Sequence, residues 1–185
     1  KDPRDGDALM ELINVPKYVA KTTGGRVEIK DDAVLYDGKV VHNFLATRMI
    51  EMLRDGFDIT PLMNFLENLM NNPSKTAIDE LYKFLEHAKI PVTEDGCFLA
   101  YKKVRGDFKD IYTGTMDNSP GQILEMPRNS VDDRRDNTCS TGLHFAALSY
   151  MPHYGAGSGN KIVIVKVNPK DVVSIPSDYN NAKGR

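Results

Sequence analysis

Lys161–Val167, KIVIVKV, is the segment that most narrows what this chain can become. It is β-branched almost throughout and apolar on both faces at its centre, and Asn168-Pro169 stops it. Such a run suits a pleated, half-buried or buried surface and gains little as a helix. The C-terminal half must therefore supply further strands. CFLAYKKV (97–104), KDIYTGTM (109–116) and QILEMP (122–127) read as strands and loops, and DVVSIP (171–176) as a short following strand. GLHFAALSYMPHY (142–154) reads as a strand end running into a helical turn.

The middle of the chain has a different period. Asn43 can cap a helix with Leu45, Met49, Met52 and Leu53 on one face, and Gly56 can end it. Thr60-Pro61 reads as an N-cap followed by proline at the first helical position. Leu62, Phe65, Leu66, Leu69 and Met70 then form a full apolar stripe. Asn71-Asn72-Pro73 breaks it, Ser74 can cap a third helix, and Ile78, Leu81, Tyr82 and Leu85 continue the pattern. Three such helices with short connections predict a packed unit. Upstream, ALMELINVP (8–16) reads as an apolar patch ended by Pro16. RVEIKDDAVLYDGKVVHN (26–43) reads as a β-hairpin with turns at Asp31-Asp32 and at Tyr36–Lys39. The expected fold is α+β, with a helical N-terminal domain carrying a small β-hairpin over 1–90 and a mixed-sheet α+β domain over 91–185. The boundary is placed near Lys89-Ile90-Pro91.

Composition removes several function classes. A net charge of -2 and a pI near 6.1 disfavour a general polyanion binder, although local basic stretches such as Tyr101–Arg105 remain. No apolar run approaches the ~18 residues of a membrane span, and no signal-peptide pattern opens the chain. Cys97 and Cys139 have neither disulfide-framework nor zinc spacing and read as reduced thiols of a cytosolic protein. A start at Lys1 and a polar tail ending at Arg185 read as a piece or processed form of something longer.

Candidate chemistry concentrates in Met126–Ala147, MPRNSVDDRRDNTCSTGLHFAA. Arg128, Arg134 and Arg135 with Asp132, Asp133 and Asp136 are either a solvated, internally paired loop or an anion cradle, since arginine's planar fork suits phosphate. His144 alternates with Leu143 and Phe145 and so faces a cleft or solvent if those are buried. Cys139, His144 and His153 lack regular metal-ligand spacing. Gly155–Asn160 lacks the GK[ST] ending of a phosphate loop and reads as a flexible connection. Ser140 beside Cys139 has no GxSxG elbow around it.

From about Ile59 to Arg185 the chain resembles the bacteriophage rIIB family. The resemblance rests on Cys139, Ser140, Gly142, Leu143 and His144 of a C-S-x-G-L-H element, and on Asn168, Pro169, Asp171, Val172 and Val173 of an N-P-x-D-V-V turn. It implies a phage protein acting in the host bacterial cytoplasm or at the inner face of the membrane, beside an rIIA-like partner protein or a host protein. The implied role is lysis timing and protection from exclusion, with no reaction and no cofactor.

A second resemblance is to ADP-ribosyltransferases, whose G-x-Y-F-A…Y element is similar to TGLHFA followed by Tyr150. It implies an NAD or other nucleotide pocket lined by Tyr101, His144 and Tyr150, with Arg128 or Arg134 holding phosphate. Tyr101 stands where that superfamily has His or Arg. No glutamate follows Glu125, so its catalytic carboxylate has no counterpart beyond the shorter Asp171 or Asp178. The readings carried forward are a non-catalytic phage accessory protein, a nucleotide-binding or ADP-ribosyltransferase-like domain, and a nucleic-acid binder using Lys102, Lys103 and Arg105. Oligomeric state is left open.

Overall fold

The computed structural model describes residues 14–30, 33–87, 90–155 and 157–185. Chain contacts divide it into two compact units, residues 1–66 and 67–185. The first described element is helix α1, Val15–Thr22. Pro16, read from sequence as ending an apolar patch, instead sits in the first turn of this helix, and Asn14 caps it by accepting from Lys17 N at 3.1 Å. Proline lacks only an N–H that the first turn leaves unbonded anyway, so it starts a helix as readily as it stops one. The remainder of that patch, residues 8–13, lies outside the described residues.

The expected hairpin is a three-stranded antiparallel meander: β1 Val27–Lys30, β2 Ala33–Tyr36 and β3 Lys39–Val40. Asp37 and Gly38, both at positive φ, make its second turn, as a two-residue hairpin loop requires. The first turn, Asp31-Asp32, lies outside the described residues. Helix α2, Asn43–Arg54, buries Leu45 and Met49 and ends at Gly56, where Phe57 N reaches back to Met52 O at 2.8 Å. The side chains of Asn43 and Leu53 lie outside the described residues.

Helix α3, Thr60–Met70, crosses from the first unit into the second and buries Leu62, Phe65, Leu66 and Leu69 as the stripe predicts. Its cap differs from the expectation. Asp58, not Thr60, is the acceptor, taking Thr60 N at 2.9 Å and Thr60 Oγ1 at 2.7 Å. Helix α4, Lys75–His87, is capped as expected, with Ser74 Oγ accepting from Ala77 N at 3.2 Å.

The second unit is a four-stranded sheet in the order β6-β4-β5-β7, with β4 Phe98–Val104, β5 Phe145–Ala146, β6 Lys161–Val167 and β7 Lys183–Gly184. Every ladder is antiparallel, which narrows the expected mixed sheet to an antiparallel one. One face carries Phe98, Ala100 and Val104, all buried, and Phe145 of β5 joins them. Phe84 of α4 packs on it, its ring 5.2 Å from Phe145 and 6.0 Å from Phe98, and those two rings are 5.2 Å apart. Edge-to-face triads of this kind add to what plain area burial contributes. The domain boundary expected near residue 90 therefore falls inside the second unit, because α4 is the cover of this sheet.

Three expected strands take other forms. KDIYTGTM joins neighbours only through the single bridges Val104↔Asp110 and Lys109↔Asp117, and QILEMP has no ladder. DVVSIP follows a 3-10 turn at Pro169–Asp171 and forms no ladder, although Ser174 and Arg185 exchange backbone bonds at 3.0 Å and Val173 N reaches Arg185 O at 2.8 Å. In 109–116 the Asp110 carboxylate supplies a local acceptor for three backbone N–H groups, which competes with a ladder. Among the described residues no helix is long and apolar enough to cross a membrane.

Candidate functional site

The segment 126–147 folds around arginines, but their partners are the protein's own oxygens. Arg128 Nη2 donates to Asn72 Oδ1 at 3.0 Å and to Val172 O at 3.1 Å, while Nη1 donates to Lys170 O at 3.2 Å. Arg134 pairs its Nε with Asp132 at 3.6 Å and is largely exposed. Arg135 reaches Asn181 Oδ1 at 3.2 Å and lies 3.9 Å from the buried Glu80 carboxylate, which accepts from Ile175 N at 3.0 Å. Arg185, buried, does most to shape the loop. Its guanidinium donates to the carbonyl oxygens of Asp132 at 2.5 Å, Arg134 at 2.8 Å and Asn137 at 2.9 Å.

Asp132 is the loop's second organiser. It accepts from Ser140 Oγ at 2.6 Å, Asn137 Nδ2 at 2.5 Å and Arg134 N at 2.9 Å, and these donors hold its carboxyl well below the usual carboxylate range. Ser140 thus has an acceptor other than Cys139, which is exposed. Among the described residues no cluster of three or more metal-ligating side chains converges.

The sheet brings part of the predicted pocket together. Ala146 pairs with Tyr101 on one side and Lys183 on the other, so these side chains share one face of the sheet. Lys183 is buried there and donates to Asp178 at 2.8 Å and to Thr138 O at 2.5 Å, with Tyr150 OH at 3.5 Å. Burial alone would lower its pKa, but Asp178 and Tyr150 outweigh that and the net shift is upward. His144 is half-buried, and burial, with Arg185, Lys102 and Lys183 nearby, pushes its imidazole down to about 4. It is therefore neutral at physiological pH, able to donate or accept one hydrogen bond but not to serve as a cation.

A cavity of this unit lies beside Tyr150 and measures about 340 Å³. Tyr150, His153, Tyr179, Phe84, Ser149 and Asn180 are among its lining residues. Tyr150 stacks on Tyr154 at 6.2 Å and meets Tyr179 edge-on at 5.1 Å, while His153 lies 4.9 Å from Tyr179. Of the five residues singled out from sequence, Tyr150 lines this cavity; Tyr101, His144, Arg128 and Arg134 are not among its lining residues. His153 and Tyr179 were not read from sequence as pocket residues. The signal for them was weak, a turn-like MPHY and a polar SDYN. Tyr179, Asn180 and Asn181 are three successive non-glycine residues at positive φ, and Tyr179 and Asn180 of this run line the cavity.

The basic stretch on β4 is dispersed. Lys103 Nζ donates to Tyr154 O at 2.6 Å, Arg105 Nη2 donates to Ile111 O at 3.2 Å, and burial lowers the pKa of Lys102. Successive β4 positions also point to opposite faces, so these cations do not form one strip.

A second feature stands out beyond β4. The Asp110 carboxylate, buried, accepts from Thr113 N at 2.6 Å, Thr113 Oγ1 at 2.7 Å, Met116 N at 2.9 Å and Thr115 N at 3.0 Å. Burial would raise its pKa, yet these four donors hold it well below the usual carboxylate range. The loop so fixed carries Tyr112 at its tip, 91% exposed.

Comparison with known proteins agrees with the resemblance and widens it. A family model described as Bacteriophage T4 protein rIIB matches residues 9–185. Protein rIIB of Enterobacteria phage T4 is 43% identical over 175 residues, covering 95% of this chain and 56% of that relative. The chain thus spans little more than half the length of the curated relative it matches. No solved structure matches it. With the family model covering nearly the whole chain, including both the C-S-x-G-L-H loop and the N-P-x-D-V-V turn, this chain belongs to the bacteriophage T4 rIIB protein family.

Proposed function

We propose that this chain is a non-catalytic interaction module of a phage protein that protects infection inside the host bacterium. In this reading it acts on lysis timing and on exclusion by prophage or host defence, through contact with an rIIA-type partner or a host protein in the cytoplasm or at the inner membrane face. The observation that carries the proposal is the Asp110 loop. Four hydrogen bonds rigidify a surface loop whose tip is a fully presented tyrosine. A tyrosine on a fixed backbone offers a large contact area and has only two side-chain torsions left to immobilise, which suits a binding hot spot. Arg128 and Arg135, in contrast, are committed to internal acceptors.

Binding of the purified chain to an rIIA-type partner, measured by biolayer interferometry, tests this reading. Tyr112→Ala is expected to weaken binding by about tenfold or more while leaving the thermal transition in place. Phage carrying the same substitution should lose protection against exclusion. Unchanged binding and unchanged plating would remove the loop from the proposal.

A second reading is favoured by the aromatic cavity at Tyr150, His153 and Tyr179, which is of ligand size. It would make the second unit a nucleotide-binding domain. Calorimetric titration with NAD+ and ADP-ribose decides it. Saturable heat that Tyr179→Ala abolishes supports a nucleotide site, and absence of heat from a folded sample ends that reading.

A further inference from the structure

We propose that β6 is a self-docking edge, through which two copies of this chain join their sheets about a two-fold axis at Ile164. The inference is independent of the Tyr112 loop and uses a different surface. In the order β6-β4-β5-β7, β6 has β4 on one side only, and among the described residues no backbone group of another segment hydrogen-bonds to its other side. An edge of seven paired residues, unbroken by proline or glycine, leaves a row of N–H and C=O groups able to accept another strand. Ile162 and Ile164 on it are 48% and 65% exposed.

The pattern of β6 selects the occupant. In antiparallel self-pairing centred on Ile164, all seven residues find partners: Ile164 faces its own copy, Val163 faces Val165, Ile162 faces Lys166 and Lys161 faces Val167. No lysine lies opposite a lysine. Shifting the centre by one residue along the strand leaves two positions unpaired, and the face-swapped register that sets Val163 opposite Ile164 places Lys161 against Lys166, a like-charge pair that opposes association. Within the chosen register Ile162 and Ile164 of both copies form one apolar strip on the outer face. Lys166 flanks it with its aliphatic stem, its ammonium being held 2.7 Å from Asp95. The half-buried Val163, Val165 and Val167 extend the inner face in the same way. The two copies then share an eight-stranded sheet with an isologous interface. An interface built mainly from one strand pair is small, so dissociation is expected in the roughly micromolar range.

Sedimentation velocity of the whole chain across a concentration series is the test. A reversible monomer–dimer equilibrium is expected, weakened by about tenfold or more in Ile164→Lys, which sets two cations on the axis of an exposed position. Register is read in a Cys139→Ser background: Ile164→Cys should cross-link under mild oxidation, and Ile162→Cys, opposite Lys166 of the other copy, should not. A monomer throughout the series overturns the proposal. So does a dimer that Ile164→Lys leaves intact, or preferential cross-linking through Ile162→Cys. Loss of partner binding in Tyr112→Ala with the dimer unchanged would separate this edge from the surface proposed above.

Discussion

Arg128 and Asn72 are joined by one 3.0 Å hydrogen bond across 56 residues of chain, and the pair closes the second unit. Asn72 is buried; its amide donates to Pro169 O at 2.9 Å and Val172 O at 2.8 Å, and its oxygen also accepts from Ser74 N at 3.0 Å. Asn72→Ala removes these bonds and leaves several polar groups without partners. A loss of about 2–4 kcal/mol is expected in urea denaturation. Arg128→Ala should cost less, since part of its side chain meets solvent. Near-wild-type stability of Asn72→Ala would show that water replaces the whole network.

Phe145 lies at the meeting point of the aromatic triad, and Gly184 opposite it has no room for a side chain. A Cβ at Gly184 would overlap the Phe145 ring and come within 2.6 Å of Ile175 Cδ1. Phe145→Ala is expected to cost about 3–5 kcal/mol through cavity formation. Gly184→Ala should be destabilising for the opposite reason, overpacking, by about 1–3 kcal/mol. Thermal unfolding of both variants checks the pair; a neutral Gly184→Ala would mean the ring can retreat.

His144 makes stability depend on pH. Its folded pKa of about 4 is below the ordinary 6.5, so the unfolded chain takes up a proton first as pH falls. Its contribution is whole above pH 6.5 and is lost between there and about 4, at no more than about 1.4 kcal/mol per pH unit. His144→Gln should flatten that limb of the stability profile. An unchanged slope between those pH values would assign it to other groups.

The two thiols should separate by reactivity. Cys139 is exposed, whereas Cys97 is buried and burial raises its thiol pKa. One equivalent of a thiol reagent is expected to react quickly in the native chain and the second only on unfolding. Equal rates would place Cys97 in a segment that opens readily.

What the sequence made legible follows from period. The stripes of α3 and α4, the Ser74 cap, the Tyr36–Lys39 turn and the strand at 161–167 are all local patterns, and each stands where its pattern puts it. Less legible was anything decided by distant chain. Phe84 falls between the expected stripe positions of α4, yet it became the residue that covers the sheet, because Phe98 and Phe145 meet it there. For the arginines of 126–147 an internally paired loop and an anion cradle both stayed open, because composition does not reveal that carbonyls of 170–172 would reach Arg128, or that Arg185 would return to residues 132–137. Tyr179 was hidden for a further reason. It begins a run of three left-handed positions, and although Asn180 and Asn181 favour that region, nothing about a tyrosine announces it.

Closure of the second unit by remote partners has a consequence in time. Glu80 waits for Ile175, and Asn72 for Val172, partners 95 and 100 residues further along the chain. At a synthesis rate of roughly 5–20 residues per second, α4 leaves the ribosome about 5–20 s before the segment that completes its packing. Phe98 and Phe145, the sheet residues that Phe84 meets, follow it by 14 and 61 residues, so until they emerge the nascent helix is an apolar surface open to chaperones and to neighbouring chains.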